Sequence, residues 1–213
     1  MSSRRPLPRG TLTPGLIVGA ALALVDRDGL DALTMRRLAA ELGCEAMSLY
    51  KHVPDKATLL QMVIDHVMSD FRTPSAALGW DDRLRAVARD LRRLALAHPH
   101  VVPLLAVQLP SSAMSLVPVD AVLGALHDAG LDDERVVGLF WALVAYVTGA
   151  LVAEAAAVTG VEQPFPFGLS GDATEHLPHV ARLGRLLATS EYEVEFERGL
   201  ELFIDAVERA GAS

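Results

Sequence analysis

The chain has 213 residues, 51% of them hydrophobic and 22% charged, which supports one sizeable core or a core with a satellite domain and excludes a disordered protein. Its single cysteine, Cys44, excludes an internal disulfide and a cysteine-only zinc site, and fits a reducing, cytoplasmic setting. The net charge of −8 argues against nucleic acid as a partner of the whole surface, yet residues 1–56 hold eight Lys/Arg against six acids while the remainder holds eleven against twenty-one. A cationic first quarter on an acidic body is the layout of a DNA-reading head whose body stays off the DNA.

In chain order, helical periodicity dominates and strand alternation is missing. Arg4 and Arg5 before the apolar run 15–25 imitate a secretion signal, but Thr13-Pro14 reads as a helix N-cap with proline at its first position, and the run ends in Asp26-Arg27-Asp28. Ile17, Ala20, Ala21, Leu24 and Val25 line one face of that helix, which Gly29 closes. Thr34 caps a second helix carrying Met35, Leu38, Ala39 and Leu42, stopped at Gly43, and a short segment 46–52 precedes Pro54. A longer helix runs from Asp55 to about Phe71, followed by a connection over 73–79. Further helices are predicted to end at His98-Pro99, over 101–107, over 116–129, over 133–158, near 174–188 and over 192–210, with a Pro-, Phe- and Gly-rich loop at 163–171. Residues 136–153 lack any charge and reach the lower limit of a membrane span; their flanks are acidic, so a buried helix is expected and no membrane role. The expected fold is all-α: a three-helix head over residues 13–72 and a larger helical domain over 80–210.

The segment 33–53 carries the most information. Two short helices joined by a tight turn make a helix-turn-helix, which needs a small residue at the crossing (Ala39), a residue tolerant of positive φ in the turn (Gly43) and few inward residues on the second helix (Leu49, Val53). Met47, Ser48, Lys51 and His52 are then free to face phosphates and base edges. By pattern alone an ordinary helical hairpin with a solvated face fits equally.

The wording separates the two. Asp28-Gly29, then Leu-Thr-Met-Arg-Arg-Leu-Ala at 33–39, Leu42-Gly43, and Ser-Leu-Tyr-Lys-His-Val-Pro-Asp-Lys at 48–56 closely resemble the DNA-binding domain of TetR-family regulators over about residues 13–70. The remainder resembles, more loosely, the regulatory domain of the tetracycline-repressor subgroup, chiefly through helix order and the Phe-Glu-Arg-Gly-Leu-Glu-Leu-Phe stretch at 196–203. The resemblance implies a homodimeric, ligand-responsive regulator of double-stranded operator DNA, with repression the commoner mode and no enzymatic activity, cofactor or metal. It implies that Arg36 contacts a guanine, that Ser48, Tyr50 and His52 touch backbone or bases, and that Lys56 binds phosphate at the start of the fourth helix. Met35, Arg37, Ala46, Met47 and Lys51 complete the expected DNA-facing set. Met35 departs from a phosphate-binding threonine, Lys51 from an aromatic residue, and Ala46 and Met47 from polar glutamine and proline. Ala46 and Met47 suit thymine methyl groups but not amide-to-adenine bonds.

His98, His100, Gln108, Trp141, Tyr146 and Glu154 are the candidate polar and aromatic points of an effector cavity in the second domain, although Trp141 and Tyr146 on an apolar helix are equally simple core residues. Four histidines, at 98, 100, 176 and 179, lack the helical spacing of a metal site. Arg85, Arg89, Arg92 and Arg93 read as a solvated helix face, with Asp82 pairing to Arg85 or Arg89. Gly138, Ala142, Ala145, Gly149 and Ala153 form a smooth stripe for a close helix neighbour, a core partner or a second subunit; the resemblance implies a dimeric four-helix bundle built from the helices over 133–158 and 192–210. No nucleophile elbow, phosphate loop or paired carboxylates argue for an enzyme, and the rival to a regulator is a helical ligand-binding or protein-interaction module.

Overall fold

The computed structural model describes residues 12–107, 112–160, 176–188 and 191–212, and these form helices and their connections only. Helix α1 spans Pro14–Asp28, α2 Met35–Glu41, α3 Ala46–Leu49, α4 Lys56–Met68, α5 Trp80–Ala97, α6 Val102–Val107, α7 Ala113–Asp128, α8 Asp133–Thr159, α9 Pro178–Ala188 and α10 Tyr192–Gly211. Their starts follow local chemistry. The hydroxyls of Thr13 and Thr34 accept from the amides of Leu16 (3.3 Å) and Arg37 (3.1 Å), and the Asp55 carboxylate from that of Thr58 (2.7 Å). Helix α7 starts about a turn earlier than its periodicity indicates, because Ser112 and Ser115 cap each other reciprocally (N–H to Oγ, 3.1 Å both ways), a signal that its apolar pattern and Pro118 mask.

The chain packs as two units that cut across the expected head–body boundary. One comprises the residues up to Thr73 together with Asp90–Val119; the other comprises Pro74–Arg89 and Asp120–Ser213. In the first, Ile17, Ala21, Leu24 and Val25 of α1 meet Leu38, Leu49, Val53, Leu59 and Val63, and Leu94, Val101 and Leu104 complete the same core. The head therefore shares its apolar interior with the end of α5 and with α6. Asp90 fastens this arrangement: burial works against its charge, but the Arg93 guanidinium (2.6 Å) and the Arg72 amide (2.7 Å) outweigh burial and hold its carboxyl below the usual range. Arg93 also donates to the Asp70 carbonyl (2.7 Å), tying down the chain that leaves α4.

In the second unit two expectations are corrected. Arg85 is half-buried rather than solvated, and Arg89, though exposed, is bridged as well. Arg85 makes a two-pronged bridge to Glu201 on α10 (2.8 Å for each bond) and reaches Asp81 (2.6 Å) and Asp82 (3.3 Å), while Arg89 bridges to Glu197 (2.7 Å). Glu197 and Glu201 stand four residues apart on α10, so both face α5, a match between helices that no local spacing reveals. Helix α8, expected to be buried, is long and apolar enough to cross a membrane, yet only Val136, Leu143, Val147, Glu154 and Ala155 are buried along it. Val137, Trp141 and Val158 are each more than half exposed.

The Arg85 bridges predict an acid response. Arg85 holds the carboxyls of Glu201 and Asp81 below their ordinary range by direct hydrogen bonds. A depressed folded-state pKa adds stability that is complete above the unfolded value, about 4, and fades as pH falls through the folded value. The melting temperature is expected to drop below about pH 4, and the drop should be shallower in Arg85→Gln, where both carboxyls lose the hydrogen bonds that chiefly lower them. Equal slopes in the two proteins, followed by circular dichroism, would count against the bridge.

Candidate nucleic-acid interface

Helix α2, a turn and α3 form the reading element. Ala39, 3% exposed, lets α3 cross close to α2, and the turn closes through Gly43 at φ 62°, a left-handed conformation that suits glycine, with the Cys44 amide donating to the Ala39 carbonyl (3.0 Å). Leu49 and Val53, both at 0% exposure, plug α3 and the following turn into the head's core. These two are its fully buried anchors, as the sequence indicates, with Ala46 packed partly against the same core.

On and beside the reading element Met47 and Tyr50 are exposed, as are Arg36, Lys51, His52 and Lys56, while Met35, Ala46 and Ser48 are half-buried. Among the described residues, no ion pair engages Arg36, Lys51, His52 or Lys56. Arg37 differs: it is held by Asp28 (2.5 Å), which Arg27 also grips (2.8 Å) while reaching Glu41 (2.6 Å). Arg27 thereby pulls the Asp28 carboxyl below its usual range. This brace between the end of α1 and α2 escaped sequence reasoning, since its members lie 9 and 14 residues apart. Its electrostatic consequence matters for DNA. Asp28 and Glu41 are occupied by arginines, Asp26 faces His98, and Asp55 is spent on capping α4, its carboxyl lowered by the Thr58 amide. Asp26, Asp28 and Glu41 are thus engaged away from Arg36, Lys51, His52 and Lys56.

The proposed effector residues are distributed differently. The ring Nδ1 of His98 lies 2.9 Å from an Asp26 carboxylate oxygen, and His100 packs beside Gly29 at the end of α1; both belong to the first unit. Tyr146 donates its hydroxyl to the carbonyls of Phe196 (2.6 Å) and Glu195 (3.2 Å) and stacks on Phe196, so it joins α8 to α10. Trp141 is 57% exposed and packs edge-on against Phe140. Glu154 is buried and engaged. Gln108 lies outside the described residues. Protein contacts thus engage His98, Tyr146 and Glu154, and Trp141 points outward. An open groove of about 420 Å³ between Arg135, Gly138, Leu139 and Ala210 lies along α8 and the end of α10.

Residues 17–63 match the model of the tetR family of bacterial regulatory proteins, and residues 73–210 match that of the tetracyclin repressor-like C-terminal domain. The chain belongs to the TetR family. The HTH-type transcriptional repressor DrrR1 of Streptomyces coeruleorubidus is 34% identical over 202 residues, covering 91% of this chain and 72% of that protein. ActR from Streptomyces coelicolor, solved without ligand, superposes with a TM-score of 0.79 at 28% identity over 96% of this chain and 99% of ActR; its complex with actinorhodin gives 0.77 at 29%, over 93% and 96%. BioQ, solved with its double-stranded DNA operator, gives 0.66 at 26% over 93% and 99%. This chain is a TetR-family bacterial regulatory protein, all-α over its described residues, with an N-terminal helix-turn-helix.

Proposed function

We propose that this TetR-family protein is a repressor that binds its operator as a homodimer, reads one half-site with each α3, and is released by a small, mostly apolar effector taken up by residues 80–210. The observation that carries the DNA reading is the pinning of α3 by Leu49 and Val53 beneath an exposed, cationic surface of Arg36, Lys51, His52 and Lys56. Arg36 offers a two-pronged donor to guanine, and Lys56, at the first position of α4, a point charge to phosphate beside a helix N-terminus. Ser48, Tyr50 and His52 contact backbone or base edges from α3 and the turn after it.

A dimer is supported by the open face of α8 and α10. Gly138, Ala142, Ala145 and Gly149 all lie exposed, and nothing stands within 4 Å of a Cβ placed on either glycine. Val137 and Trp141 of α8 and Leu202 of α10 are also more than half exposed. An apolar face of that kind marks an interaction surface, and its small residues admit a second helix at close range. Two copies also solve a physical problem, since one four-residue α3 contacts too few base pairs to be specific. Release follows if effector binding moves the recognition helices off the spacing of about 34–36 Å that successive major grooves demand.

Lys56→Ala should weaken binding to all DNA and lower the salt slope by about one unit, whereas Arg36→Ala should cost roughly 1–3 kcal/mol at one base position per half-site. A mobility-shift titration against the gene's own upstream region measures both, and uniform loss in both variants would refute this division of roles. For release, a screened effector must weaken operator binding by the factor by which operator weakens the effector, a coupling of about 1–3 kcal/mol. Binders that leave operator affinity untouched would remove induction from the proposal.

A further inference from the structure

The sequence leaves Ala46 and Met47 equivalent as apolar residues on α3; the structure separates them. Ala46 is half-buried, whereas Met47 is 70% exposed, the highest exposure among the large hydrophobic side chains of the described residues. Its position explains this. Leu49, fully buried, anchors α3, and a residue two places earlier on a helix points about 200° away from it. Met47 therefore projects away from the core, and Arg36 and Lys51 are exposed on the same reading element. Isolated surface hydrophobics are ordinary. This one stands on the element that the cationic surface would carry into a groove.

We infer that Met47 reads thymine, through the 5-methyl group, at one position of each half-site; the inference rests on α3 lying in the major groove. Base edges there present hydrogen-bond donors and acceptors and one apolar group, the C5-methyl of thymine. A thioether has no proton to donate, so it gains nothing from guanine N7 and O6 or from adenine N7, and it is a poor acceptor for the amino groups of adenine and cytosine. A methyl group against the flexible Met47 chain removes apolar surface from water on both sides. Specificity at this position is thus hydrophobic, and 5-methylcytosine, which carries the same methyl in the same place, satisfies it where unmodified cytosine does not.

The test uses the full-length protein and a pool of random duplexes to obtain the preferred half-site, followed by deoxyuridine in place of each thymine in turn. One thymine per half-site is expected to cost the wild type roughly fourfold in affinity when its methyl is removed, the equivalent of about 0.8 kcal/mol per buried carbon. Met47→Ala should be indifferent to that swap, and Met47→Leu, which keeps an apolar chain, should remain sensitive. Replacing that thymine by cytosine and then 5-methylcytosine should lose and regain affinity with the wild type and Met47→Leu but not with Met47→Ala. Because Met47 is exposed, unchanged melting temperatures are expected for both variants and would confirm intact heads. A selected half-site in which no thymine methyl matters, or in which wild type and Met47→Ala respond alike, overturns the assignment. Failure of the wild type to enrich any sequence instead overturns the DNA-reading proposal on which it stands.

Discussion

Gly149→Leu is expected to turn the proposed dimer into monomers and to lower operator affinity by about a hundredfold or more, the order of the advantage that joining two binding modules confers. Within a single chain the substitution meets no obstacle, since nothing lies within 4 Å of the new Cβ on the outer side of α8. Leucine also favours helix over glycine by up to about 1 kcal/mol, so the isolated fold should melt no lower than the wild type. The cost falls on assembly. In a two-fold dimer each added side chain meets the partner's corresponding patch, so bulk on the smooth stripe acts twice. Light scattering and operator titration should therefore fail together while circular dichroism stays native. A wild type that is monomeric at micromolar concentration would refute the dimer outright, and an unchanged dimer in the variant would show that this stripe lies outside the interface.

Gly199→Ala tests the opposite situation, a glycine whose missing Cβ is needed inside the subunit. A Cβ there would stand 2.5 Å from Cζ and 2.6 Å from Cε2 of Tyr146, and against its hydroxyl. The ring cannot easily yield, because its hydroxyl is bound to the Phe196 carbonyl at 2.6 Å and the ring stacks on Phe196. Helices α8 and α10 would have to part. Overpacking of this kind costs about 1–3 kcal/mol, more than the roughly 1 kcal/mol that alanine gains over glycine in a helix, so net destabilisation is expected. The sign is the sharpest test. In a Tyr146→Ala background the obstacle is gone, and Gly199→Ala should become stabilising by its helix propensity alone. Denaturant unfolding of the four proteins gives the cycle, and the same sign in both backgrounds would refute the contact as the cause.

Both glycines sit within helices, and nothing in their immediate sequence says that one faces open space and the other a tyrosine ring. That contrast marks the line between what is local and what is not. The sequence by itself determined the helix starts at Thr13, Thr34 and Asp55, the turn at Gly43 and the inward positions Leu38, Leu49 and Val53. Caps, turn residues and periodicity act within one or two helical turns, so they are legible in a short window. The wording of residues 33–56 likewise sufficed for the family, because the helix-turn-helix places its demands on adjacent residues. Only the tertiary structure decided that Arg37 is held by Asp28, that Arg85 and Arg89 reach Glu201 and Glu197 more than a hundred residues away, and that Leu94, Val101 and Leu104 complete the head's core. It also decided that Tyr146 is a joint with α10, that α8 keeps an open apolar face, and that Met47 and not Ala46 is the exposed apolar residue of α3. Each depends on which helix face meets which, a relation between residues far apart in the chain that no local periodicity encodes.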